Sequence, residues 1–162
     1  MPDVLILMGS DSDAPVMQGT ADVLQEFGIS YEMTVASAHR SPERVTRLVS
    51  EAPGRGVKLF VIGAGAAAHL AGVVAAHSSS PVIGVPIDSS ALKGWDALLS
   101  TVQMPPGVPV ATVSIGKPGA TNAGVLAAQI LGVADAEMAK KLVAYKKRLA
   151  EKVEAAAARL AP

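Results

Sequence analysis

Val4-Leu5-Ile6-Leu7-Met8-Gly9-Ser10-Asp11-Ser12-Asp13 decides the fold. Five consecutive apolar residues without alternation describe a strand covered on both faces. A glycine-led polar loop ends the run. Helical spacing takes over at once: Val16, Val23, Leu24 and Phe27 share one face, and Gly28 stands where such a helix would stop. A buried strand feeding straight into an amphipathic helix is half of a parallel β/α unit.

The same unit recurs outward from that stretch. Tyr31-Glu32-Met33-Thr34-Val35 alternates as a strand and leads to Ser37-Ala38-His39-Arg40. Ser41 is in N-cap position with Pro42 first in the helix, and Val45, Leu48, Val49 and Ala52 carry its apolar face. Leu59-Phe60-Val61-Ile62 is a third strand, running into Gly63-Ala64-Gly65 and a helix of small residues through Ala76. Pro81-Val82-Ile83-Gly84-Val85 is a fourth, followed by a helix over 95–102 and the turn Met104-Pro105-Pro106-Gly107. Residues 110–113 make a fifth, with a helix over 121–131 ending at Gly132. Five alternations predict an α/β fold: a three-layer, doubly wound parallel sheet. Five strands fit the flavodoxin-like order 2-1-3-4-5, which brings the loops after strands 1, 2 and 3 to one crevice.

Residues 1–134 form this domain, and residues 135–162 differ from it. The tail carries a net charge of +3 against −3 for the rest. Asp135 is an N-cap candidate, and Met138, Leu142, Tyr145, Leu149, Val153, Ala156 and Leu160 recur at steps of three and four. That spacing predicts one long C-terminal helix of about 25 residues, ~37 Å at 1.5 Å per residue. A stripe of that length outreaches its own domain, so the helix is expected to pack on a neighbouring subunit. The simpler alternative is a helix folded back on its own sheet or a solvated end.

Composition excludes several functions. The 162 residues suit one domain with a real core, half hydrophobic but only 3% aromatic. Zero formal net charge and few aromatics argue against a nucleic-acid surface. The absence of cysteine removes disulfides, thiolate metal sites and cysteine nucleophiles. Neither a signal peptide nor an apolar run of roughly 20 residues is visible, so the expectation is a cytoplasmic protein without a membrane partner.

The chemistry-bearing residues cluster after strands. Ser10, Ser12 and Asp13 stand before a helix, where hydroxyls and amides can cradle a phosphate, though Asp13 could equally serve as an N-cap. His39 can exchange a proton near neutral pH, and Arg40 can grip a phosphate or carboxylate. Together at a strand's C-terminal end they read as a site rather than as two surface residues. Gly63-Ala64-Gly65-Ala66-Ala67-Ala68 fits a dinucleotide fingerprint, with Asp88 further on. It lies after the third strand rather than the first, and His69 follows it. Tight helix–sheet packing, or close approach of a small ligand with His69 at the helix start, are the other readings. His77 reads as a surface histidine at a helix C-terminus. No metal site is expected from three histidines without paired carboxylates.

Met8 to Asp13, Ser37 to Arg40, Gly63-Ala64-Gly65 with Ala68-His69-Leu70, Gln103-Met104-Pro105 with Gly107 to Val110, and Ile115-Gly116-Lys117 with Asn122-Ala123 together resemble the class I N5-carboxyaminoimidazole ribonucleotide mutases of purine biosynthesis. The resemblance runs in order from about Val4 to Leu131. It implies a flavodoxin-like subunit of a homo-octamer with sites between subunits, acting without cofactor or metal. It implies that His39 is the general acid/base, that Ser10, Ser12 and Asp13 bind ribose and phosphate, and that Arg40 clamps phosphate. Ser37 belongs to the same motif, and Gly65 and His69 would line the pocket that holds CO2. A functional link to the synthetase that makes the N5-carboxylated substrate is also implied. The chain departs from the pattern at Ala66 (Gly expected), Ala71 (Pro) and Asp88 (Gln), the first two as mild changes in a packed loop, the third as a charge beside the site.

Two rivals remain at this point. One is the class II relative, which carboxylates aminoimidazole ribonucleotide directly with CO2. The other is a non-catalytic nucleotide- or flavin-binding module.

Overall fold

A computed structural model describes residues 1–160. Five parallel strands form one sheet: β1 (Val4–Met8), β2 (Tyr31–Val35), β3 (Leu59–Gly65), β4 (Val82–Ile87) and β5 (Ala111–Thr112). Their order is β2-β1-β3-β4-β5, as the flavodoxin-like reading predicts. The helices are α1 (Ala14–Phe27), α2 (Pro42–Glu51), α3 (Leu70–His77), α4 (Trp95–Val102), α5 (Gly116–Gly132) and α6 (Ala136–Leu160).

The apolar runs become the sheet's interior because both faces are covered. Every residue of β1 and β4 is buried. On one face Leu5, Leu7, Phe60 and Ile62 join Val45, Val49, Leu70 and Val74 of α2 and α3 in a single cluster. On the other, a side chain at Gly63 would run into Met17 of α1. Beside it, buried Thr20 of α1 donates its hydroxyl to the Ala120 carbonyl of α5 at 2.7 Å. The edges are blunt: β2 is half-buried along most of its length, and β5 pairs over two residues. Short or partly shielded edges limit pairing with other chains.

Several boundaries differ from the sequence expectation. Gly63-Ala64-Gly65 is strand, because β3 pairs with β4 as far as Gly65 opposite Ile87. The fifth strand shrinks to two residues. The helix expected over 121–131 begins at Gly116. Gly116-Lys117-Pro118-Gly119 looks like a loop, but a proline in a first helical turn removes an amide that would have no partner there.

The chain divides into two compact units, Met1–Ala127 and Ala128–Pro162. The second holds the end of α5 and α6. Asp135 caps α6 as predicted: its carboxylate accepts the amides of Glu137 and Met138 at 2.9 and 3.1 Å. The helix runs 25 residues. Ala161 and Pro162, the last residues of the predicted tail, lie outside the described residues. Among the described residues no helix is long and apolar enough to cross a membrane.

Candidate active site

The loops after β1, β2, β3 and β4 border one crevice of about 330 Å3. Ser10, Ser12, Asp13, Ser37, His39, Arg40, Gly65 and His69 all line it. The three-loop convergence therefore holds, and the loop after β4 adds Ser89.

The loop after β1 is closed by its own side chains. Residues Asp11–Asp13 form a single 3-10 turn capped by Ser10. The Ser10 hydroxyl accepts the Ser12 amide at 3.3 Å, and the Asp13 carboxylate accepts the Ser10 amide at 3.2 Å. The Ser12 hydroxyl donates to that of Ser10 at 2.9 Å. Asp13 does not cap α1 as the sequence reading allowed. Its backbone is already helical, so its carboxylate turns back to Ser10. It is 6% exposed. Burial pushes its carboxyl above the ordinary carboxylate range, against the opposing pull of the Ser10 amide and the Arg40 guanidinium.

The loop after β2 is a tight turn from Ser37 to Ser41. The Ser41 amide donates to the Ser37 carbonyl at 2.9 Å. The Ser41 hydroxyl accepts the Ser37 amide at 3.1 Å, so it locks this turn instead of capping α2. The Ser37 hydroxyl accepts the Arg40 amide at 3.2 Å. From this turn the two neighbours diverge. Arg40 reaches the β1 loop, donating to the Gly9 carbonyl at 2.8 Å. His39 reaches the β3 loop, where its Nε2 lies 2.7 Å from Nδ1 of His69. The rings meet edge to face, with centroids 4.8 Å apart and planes at 78°.

That hydrogen bond needs one proton between two imidazoles. Either ring can donate while the other accepts, and two imidazolium rings would set N–H against N–H. The pair can hold or pass a single proton. Arg40 keeps donors beyond those it spends on Gly9 and Ser37, and stands beside the hydroxyls of Ser10 and Ser12. The crevice thus brings a histidine pair able to exchange a proton together with a guanidinium and hydroxyls able to meet an anion.

Residues 3–152 match the AIR carboxylase family. The chain belongs to the AIR carboxylase family. The N5-carboxyaminoimidazole ribonucleotide mutase of Thermotoga maritima is 53% identical over 99% of this chain and 92% of its own length. The protein of the same name from Bacillus subtilis is 55% identical over 87% of each chain. The crystal structure of Treponema denticola PurE superposes with a TM-score of 0.90 at 32% identity, covering all of both chains.

Against this AIR carboxylase frame, the glycines after Ile62 have packing roles. A Cβ on Gly63 would lie 2.4 Å from the Met17 sulfur, and one on Gly65 would lie 1.8 Å from the Ser89 hydroxyl. Both belong to β3, so neither forms the phosphate-binding turn of a dinucleotide fingerprint. Ala66 is exposed, not packed, and adopts a φ of 51°. Glycine takes that left-handed conformation freely, whereas alanine is strained in it. Ala71 is buried in α3. Asp88 does not line the crevice; its carboxylate lies close to Gly116 of α5. His77 is exposed in the last turn of α3, its Nδ1 on the Val73 carbonyl, as expected for a surface histidine.

Sequence reasoning missed the pairing of His39 with His69, because 30 residues separate them and no motif joins them. It also missed Ser89. The signal was available, since Ser89 follows a strand end like every other lining loop.

Proposed function

We propose that this chain moves the carboxylate of N5-carboxyaminoimidazole ribonucleotide to ring carbon C4, giving 4-carboxy-5-aminoimidazole ribonucleotide in purine biosynthesis. The mutase relatives support the reading, and the observation that carries it is the His39–His69 contact of 2.7 Å in a crevice that also holds Arg40 and the Ser10–Ser12 hydroxyls.

His39 gives its proton to N5 as the N–C bond breaks and the carboxylate leaves as CO2. The ring carbon C4 of the resulting aminoimidazole ribonucleotide attacks that CO2, and its proton returns to His39. Protons and electrons balance without a cofactor or metal, and one histidine cycling between two states matches an isomerisation. Ala64, Gly65 and Ala67 form small, featureless walls beside the pair, suited to keeping CO2 in place. Arg40 with Ser10 and Ser12 takes the phosphate, and Asp13 faces the ribose hydroxyls.

The working form is a cytoplasmic homo-octamer in which α6 packs on a neighbour and a separate synthetase supplies the substrate. The apolar stripe of α6 supports this. Leu149, Val153 and Leu160 are 44%, 67% and 86% exposed within the chain, and such a row favours a partner surface.

The test is an assay on two substrates. Turnover of the N5-carboxylated nucleotide, without added CO2, is the expected result. If that compound is inert while aminoimidazole ribonucleotide and CO2 react, the reading is wrong.

A further inference from the structure

The contact between His39 and His69 depends on where the β3 loop stands, and that loop has one short bond of its own, from the His69 amide to the Ala67 carbonyl at 2.9 Å. Ala66 is held in a left-handed backbone conformation that alanine resists. His69 occupies the N-cap position of α3 but its side chain caps nothing, so the helix start does not fix the ring. That one bond neither relieves Ala66 nor fixes the ring, so a tie from outside the loop bears on residues 66–69.

The external tie comes from α4. The Ser100 hydroxyl accepts the Ala68 amide at 3.0 Å and donates to the Asp96 carbonyl at 2.8 Å. Its orientation is set by the helix, so the acceptor faces the loop. One turn earlier, the Asp96 carboxylate accepts the Ser90 hydroxyl at 2.6 Å. Ser90 adjoins Ser89, whose hydroxyl packs against Gly65. One face of α4 thus grips both the β3 loop and the β4 loop. Those two loops supply Ala67, His69 and Ser89 to the crevice.

We infer that Ser100 is a positioning residue of this site. It fixes the Ala68 amide, and through it the His69 ring, so that His69 and His39 share one proton in a set geometry. Ser100 touches no reacting atom. Its effect passes through the histidine pair, and it rests on the proposed role of His39 for its kinetic consequence. Proton transfer is sensitive to small displacements, and a shift of about 1 Å can cost on the order of a hundredfold in rate.

The test is Ser100→Ala in the full-length protein, with two readouts. Imidazole 15N spectra report which ring nitrogens carry protons and should change at both His39 and His69. The kcat should fall roughly tenfold or more while KM stays within about twofold, since Arg40 and the β1 loop are untouched. Ser100→Thr, which keeps the hydroxyl, should restore most of kcat. Unchanged 15N spectra overturn the proposal, and so does a changed spectrum with full kcat. A third measurement needs no variant: the Ala68 amide should be protected from hydrogen exchange, and open-loop exchange overturns the proposal. If the unaltered protein lacks mutase turnover, the functional reading falls by itself. The 15N and exchange results then still decide whether Ser100 positions the pair.

Discussion

The loops after β1 and β3 face each other across the crevice and are built on opposite principles. The β1 loop carries its own fastenings. Ser10, Ser12 and Asp13 close it with bonds that span two or three residues. The β3 loop has one short bond of its own, from the His69 amide to the Ala67 carbonyl, and borrows the rest. Ser100 holds it from 32 residues away, Ser89 fits against Gly65, and Ala66 stays strained in between. In the proposed reaction the self-closed loop would present hydroxyls to an anion, a task that tolerates small shifts. The borrowed one presents His69 to His39, a task that depends on distance. His39 and Arg40, adjacent in sequence, divide between the two loops.

Breaking each side separately should separate the two tasks. His39→Asn removes the proton carrier that faces the β3 loop, and turnover should fall roughly 10²–10⁴-fold with nucleotide binding retained. A variant that still turns over would take His39 out of the chemistry. Arg40→Ala acts on the β1 side. Losing a charged hydrogen bond of about 1.5–3 kcal/mol should weaken nucleotide binding roughly ten- to hundredfold while kcat changes little. Unaltered affinity by calorimetry would end its role as the phosphate handle.

Two milder changes sharpen the contrast between the loops themselves. Ala66→Gly releases a left-handed alanine but loosens the unfolded chain, and the balance should be a gain of about 0.5–1 kcal/mol in urea unfolding. A loss would mean that the loop is not strained. Asp13→Asn keeps the acceptor for the Ser10 amide and removes the buried charge. Because burial raises the Asp13 pKa in the folded state, its contribution to stability is fully present below its ordinary 3.8 and declines as pH rises through the raised value. Wild type and Asp13→Asn should therefore match in strong acid, and the variant should become the more stable as pH rises past 3.8 to a plateau. Parallel melting curves across that range would contradict the burial argument.

The same contrast explains how much could be read in advance. Residues 4–28 disclosed strand, polar loop and helix because each signal lies within a turn of its partner. Even there, the side chain of Asp13 chose Ser10 over α1, a choice set by a backbone that had already turned helical. Asp135 shows the simpler case, an isolated N-cap whose amides lie two and three residues on. Gly63-Ala64-Gly65-Ala66-Ala67-Ala68 left its readings open because its spacing matches a phosphate loop while its cause is packing by residues distant in sequence. Met17 and Ser89 occupy the space that side chains at Gly63 and Gly65 would need.

Taken alone, the sequence determined the alternation of strands and helices, the positions of the loops that carry chemistry, and the length of α6. These follow from hydrophobic periodicity and from caps, which act over a few residues. The resemblance in its motifs pointed to the family. Only the tertiary structure decided which side chains meet. It sent Arg40 to Gly9 and His39 to His69, and placed Ser100 under the loop that carries His69. Those contacts join residues about 30 apart, and they exist because parallel strands stack their C-terminal ends side by side. No local pattern encodes that meeting; the sheet order does.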